Sequence, residues 1–114
     1  MPEAVAFTLP ILPGKTDTDR EVMHSFWHGE RQADFRASRE RHGITREAAW
    51  IQETPDGNAA IIYLEADNLD AALQGIATST DPFDRWFRDY VRDVHAYDLE
   101  EPAPPPELVL DYSG

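Results

Sequence analysis

The chain is predicted to fold as an α+β protein, with an antiparallel sheet carrying helices on one face. Two stretches, residues 4–10 and 59–66, alternate apolar residues at period two. Between and after them, apolar residues recur at helical spacing. Thr54-Pro55-Asp56-Gly57-Asn58 supplies hairpin turn chemistry just before the second stretch.

In the first stretch Val5, Phe7 and Leu9 share one face, and Pro10, Pro13 and Gly14 end it. A helix is expected to start at Thr16-Asp17-Thr18-Asp19 and run to about residue 42, with Thr18 and Glu21 as a capping box. Val22, Phe26, Ala33 and Ala37 mark its apolar stripe, with Gly29 and Glu30 in a gap. Gly43 suits a left-handed stop, and Ile44 covers it. Residues 44–54, centred on Trp50 and Ile51, form the second strand. In the third, Ala60, Ile62, Leu64 and Ala66 make a fully apolar face that must lie against helices. Ala59, Ile61, Tyr63 and Glu65 make a mixed face. A short helix capped by Asp67 follows, burying Leu69, Leu73 and Ile76. Asp81-Pro82 opens a last helix, with Phe83, Phe87, Tyr90, Val91 and Val94 as its stripe. Residues 100–106 read as a polyproline spacer, and 107–112 as a final strand.

The order is β-α-β-β-α(α)-β, a ferredoxin-like arrangement. Residues 1–99 form the domain, and 100–114 add the spacer and last strand to it. Such a sheet leaves one face open, and a homodimer is the simplest cover for it.

Composition narrows the function classes. One hundred and fourteen residues suit a single domain able to bury a core. The absence of cysteine excludes disulfides, thiolate metal sites and a cysteine nucleophile. Twenty-two acidic against ten basic residues give a formal charge of −12, so neither nucleic acid nor an anionic membrane is an expected partner. Met1-Pro2-Glu3-Ala4-Val5 lacks the charged start and apolar run of a signal peptide, so a cytoplasmic location is expected.

The Pro13-Gly14-Lys15 loop, the Gly43-Ile44 strand start, the Asp56-Gly57 hairpin and the Tyr63-Leu64-Glu65-Ala66-Asp67 step resemble the dimeric α+β barrel superfamily. Within it, the chain resembles small bacterial members of unassigned function, over most of residues 4–99. The resemblance implies that two ferredoxin-like sheets pack face to face as a homodimer. It also implies a cavity between each sheet and its helices. Members include cofactor-free monooxygenases, haem-binding enzymes, isomerases and plain regulatory proteins, so the fold does not settle the function.

Against that background the residues offer few chemical candidates. His95, at the end of the helix bearing the aromatic stripe, is the first candidate to move a proton; a helix-end histidine favoured by the dipole is the plain alternative. His24 is the second, and His28 one turn on faces the same way; both also fit a surface pair, and a metal would need a third ligand. Trp27, Trp50, Tyr63, Phe87 and Tyr90 could wall a pocket for a flat organic molecule, or fill core and interface. Arg36 and Arg39 stand late on the first helix, and Arg46 and Glu47 at the start of the second strand; an arginine reaching into a cavity could hold a carboxylate, and a solvated ion pair is the plain alternative for each. Asp17/Asp19, Asp67/Asp70 and Asp81/Asp84 look like paired carboxylates, but each pair sits at an expected helix start, where capping accounts for it. No phosphate loop, serine elbow or dinucleotide fingerprint is present, and no cofactor or metal is expected. Two functions stay open: binding or transforming a small molecule without cofactor, or a non-catalytic dimer with a filled cavity.

Overall fold

The computed structural model describes residues 2–114. Strand β1 (Glu3–Ile11) leads to helices α1 (Thr16–His28) and α2 (Gln32–His42). Strands β2 (Ile44–Thr54) and β3 (Gly57–Ala66) form the hairpin, and helices α3 (Leu69–Thr78) and α4 (Pro82–His95) complete the fold. The strands make one antiparallel sheet in the order β1-β3-β2. The α+β class is therefore as the sequence predicts.

The central strand sets the layers. Ala60, Ile62, Leu64 and Ala66 of β3 are buried in one cluster with Leu9, Phe26, Ile44, Ile76, Tyr90 and Val94. Each fully buried Leu or Ile contributes roughly 1.5–3 kcal/mol, so this single face carries much of the stability. On β1, Val5, Phe7 and Leu9 stand opposite Leu64, Ile62 and Ala60 and share their side. On β2, a register shift between Ile44 and Arg46 resets the alternation. Ile44, Glu47, Ala49 and Ile51 then take the helix side. Arg46, Ala48 and Trp50 take the reverse side, with Ile61 and Tyr63. A one-residue shift exchanges faces, so it is this bulge that turns Trp50 outward, 54% exposed.

The ends of the elements confirm some expectations and correct others. Asp81 caps α4, accepting from the Phe83 N–H at 2.9 Å, with Pro82 in the first turn. Gly43 ends α2 in the left-handed region, at φ 78°. The Thr18–Glu21 capping box does not form; α1 begins at Thr16 with no side-chain cap. Asn68 rather than Asp67 caps α3, accepting from the Ala71 N–H at 3.0 Å.

Two larger corrections concern whole elements. The expected helix over 16–42 breaks at Gly29, whose backbone is extended. There the Arg31 N–H donates to the Ser25 carbonyl at 3.1 Å. A Cβ on Gly29 would stand 2.6 Å from the Ser25 Cα, so only glycine permits this crossing. The break rotates α2 relative to α1. Ala33 and Ala37 are exposed, and Phe35, Ser38 and Arg39 face inward instead. The expected strand at 107–112 is not one; the segment is extended, unpaired and exposed. A short apolar run becomes a strand only when its N–H and C=O groups meet a neighbouring edge, and residues 107–112 pair with no strand of this chain. Among the described residues no helix is long and apolar enough to cross a membrane.

Candidate functional site

An open cleft of about 1420 Å³ lies between the helices and the sheet and extends to the segment Pro102–Pro106, which also lines it. Leu9, Ile62 and Leu64 line it from the strands, Phe26 from α1, and Phe87 and Tyr90 from α4. The spacing of the α4 stripe puts Phe87, Tyr90 and Val91 along one side of the helix, toward this space.

A buried polar cluster stands at one end. Asp19 of α1 and His95 of α4 are fully buried, and Tyr90 is nearly so. The Tyr90 hydroxyl donates to Asp19 Oδ1. His95 Nε2 meets the same oxygen at 3.0 Å, and His95 Nδ1 meets the Pro10 carbonyl at 2.8 Å. A carbonyl oxygen only accepts, so Nδ1 carries the hydrogen of that contact. Burial, reinforced by the Asp19 carboxylate, holds the Tyr90 hydroxyl far above the ordinary tyrosine range. Tyr90 is accordingly a donor here. Asp19 Oδ2 is buried and has no hydrogen-bond partner among the described residues.

A buried ion pair lies elsewhere in the same cleft. The Arg39 guanidinium bonds both oxygens of Glu47, at 2.8 and 3.4 Å. It sits over the rings of Phe35 and Phe87, 4.3 and 4.4 Å from their centroids. Arg39 also donates to Ser38 Oγ at 3.1 Å, and Ser38 donates to Asp84 Oδ1 at 2.5 Å. The fully buried Asp84 takes His42 Nε2 at 2.8 Å and Arg41 at 3.1 Å on its other oxygen. Burial alone would raise the Asp84 pKa. Hydrogen bonds from Ser38, Ser79, His42 and Arg41 outweigh it and hold the carboxyl well below the usual range.

The expected site residues divide. His95, Phe87 and Tyr90 line the cleft together. His24 and Trp27 reach its rim from the exposed side of α1, Trp27 being 61% exposed. Trp50 borders it from the reverse side of edge strand β2. His28 lies against Trp27, with ring centroids 3.8 Å apart and planes tilted by 35°, and is exposed outside the lining. Tyr63 lies on the reverse face of the sheet, where a hydrogen bond with Glu65 raises its pKa. His24 and His95 are thus not brought together. Arg39 and Glu47 form a buried pair rather than a solvated one.

Sequence reasoning missed Asp19 and Asp84 as buried groups, since a helix start explains an aspartate without further chemistry. A signal was present. Asp19 leads Val22, Met23 and Phe26 by three, four and seven residues, and Asp84 leads Phe87 and Val91 by three and seven. Both carboxylates are in phase with an apolar stripe, where an unpaired charge does not sit. Among the described residues no cluster of three His, Cys, Asp or Glu side chains is placed to hold a metal ion. No known protein family and no curated protein matches the chain.

Proposed function

We propose that this chain binds or transforms a small, flat organic molecule in the cleft between its sheet and its helices, without a cofactor. The observation that carries this reading is the cleft itself. It has room for such a ligand, aromatic and aliphatic walls, and a few convergent buried polar groups, the usual make-up of a small-molecule site. His95 lines the cleft with both ring nitrogens engaged, by the Pro10 carbonyl and by Asp19, so a proton role for it requires its pair with Asp19 to open.

The reading includes a ferredoxin-like subunit in a homodimeric α+β barrel. The strand order β1-β3-β2 fits that arrangement short of its fourth strand. Trp50, Ala48, Ile61 and Tyr63 on the reverse face supply an apolar surface for a second copy. In the dimer, residues 107–112 take the missing edge position; Leu108, Val109, Leu110 and Tyr112 are exposed in the single chain.

Native mass spectrometry of the purified protein tests both parts. The expected species is about twice 12.9 kDa with added mass from a retained small molecule. A monomer at micromolar concentration would remove the dimer.

A second reading, a non-catalytic dimer with a filled interior, draws on the ring cluster. Phe26 meets Phe35, Phe83, Trp86, Phe87 and Tyr90 at centroid distances of 4.6–6.2 Å. A dimer without added mass, and without any response to aromatic probes, would favour it.

A further inference from the structure

We infer that the Arg39–Glu47 pair is the polar recognition point of the cleft, and that its ligand class is a flat, uncharged molecule bearing a carbonyl oxygen. This inference rests on the cleft reading and adds the chemistry that reading lacks.

Both residues line the cleft, with side chains 8% and 18% exposed. Tyr90 and His95, the other buried polar side chains in the lining, have no free hydrogen to offer. The Tyr90 hydroxyl donates to Asp19, and the His95 ring nitrogens are taken by Asp19 and the Pro10 carbonyl. Arg39 differs. A guanidinium carries five N–H hydrogens. The Nε hydrogen and one on Nη2 meet Glu47, and one on Nη1 meets Ser38. One hydrogen on each terminal nitrogen is left without a partner among the described residues. The rings of Phe35 and Phe87, with centroids 4.3 and 4.4 Å from Cζ, keep water from the group. Folded proteins leave few buried donors unmet, because such a donor has lost water and gained nothing in return.

The charge of the pair selects the ligand. A guanidinium donates and cannot accept, so its free hydrogens ask for an acceptor. Glu47 already neutralises Arg39 and fills the place a ligand carboxylate would take. A second carboxylate would be stripped of water beside the first without a countercharge. A carbonyl oxygen has two lone pairs and satisfies the hydrogens with no net charge to bury. Phe26, Phe35 and Phe87 line the same space and suit a flat ring system behind that oxygen. Glu47 and Ser38 are positioning residues: they hold the guanidinium and leave its terminal hydrogens to the ligand.

The test uses 1-indanone, indane and indane-1-carboxylate, alike in ring frame and differing in the polar group. Titration of the intact protein is followed by amide NMR shifts of residues lining the cleft. The comparison variant is Arg39→Met with Glu47→Leu, which removes both charges together and leaves neither buried alone. The affinity ratio of indanone to indane is expected to fall about tenfold in that variant, the worth of one hydrogen bond to a charged group. The Arg39 side-chain N–H resonances of the unaltered protein give a reading that needs no variant: indanone should move them downfield and indane should not. An unchanged ratio, or Arg39 resonances unmoved while cleft amides shift, overturns Arg39 as the recognition point and leaves the cleft reading standing. Tighter binding of the carboxylate than of indanone overturns the uncharged class. If no probe moves a residue lining the cleft, the cleft reading falls, and this inference with it.

Discussion

Helix α4 meets a buried aspartate near each of its ends, and the two are provided for differently. Asp84, near the start, receives Ser38 on one oxygen and His42 and Arg41 on the other, across two helices. Asp19, beside Tyr90 and His95 near the end, has one oxygen fully engaged and one bare. A buried charge with every lone pair satisfied fixes α2 against α4 and has nothing left to bind with. A buried charge left half satisfied does less for the fold, because its bare oxygen has lost water and gained no donor. The comparison separates a fully paired carboxylate from a half-paired one, using burial and partners alone.

The largest expected effect breaks the satisfied side. Asp84→Ala leaves Ser38, His42 and Arg41 without their acceptor and should cost about 3–5 kcal/mol in denaturant unfolding. A loss near zero would show that this network holds nothing together. The pH dependence follows from the same contacts. The folded pKa of Asp84 lies below its unfolded value, so its stabilisation is complete above the ordinary carboxylate range and fades as pH falls through the folded value. The acid arm of the stability curve, below about pH 4, should flatten in Asp84→Ala.

Next in size is Gly75→Ala, on the same side. A Cβ there would stand 2.5 Å from His42 Nδ1, and His42 is tied to Asp84 by its other nitrogen. Overpacking should cost about 1–3 kcal/mol and outweigh the gain of roughly 1 kcal/mol in helix propensity. A rise in melting temperature would mean that His42 swings away freely.

The contrast sharpens with Asp19→Asn, expected to cost about 1–2 kcal/mol and less than Asp84→Asn. The asparagine amide can donate to Nε2 of a neutral His95, so the pair re-forms without charge. If both substitutions cost the same, Asp19 is as structural as Asp84 and the comparison fails.

The smallest effect is Tyr90→Phe, about 1 kcal/mol for one hydrogen bond. In alkaline difference absorbance, Tyr90 should contribute no tyrosinate while the protein stays folded, since burial and Asp19 hold its proton. Early titration of every tyrosine would place the hydroxyl in solvent.

Much of this fold was legible in the chain. The apolar face Ala60, Ile62, Leu64, Ala66, the 54–58 turn and the Asp81-Pro82 helix start are each set by neighbours a few residues away. The candidate site was legible only in part. The α4 stripe brings Phe87 and Tyr90 to the cleft, and His95 joins them from the end of the same helix. The break at Gly29 was visible as a gap in the stripe, yet its consequence, Arg39 turning inward onto Glu47, depends on the rotation of α2. Trp50 turned outward because of a bulge that no local pattern announces.

By itself, then, the sequence determined the class of fold, the place of the hairpin turn and the Asp81-Pro82 helix start. These follow from backbone sterics and side-chain periodicity over short spans. Tertiary structure alone decided which charges were buried and what met them. Asp19 and His95 are 76 residues apart and Ser38 and Asp84 are 46, and such partnerships exist only once helices from distant parts of the chain share one interior.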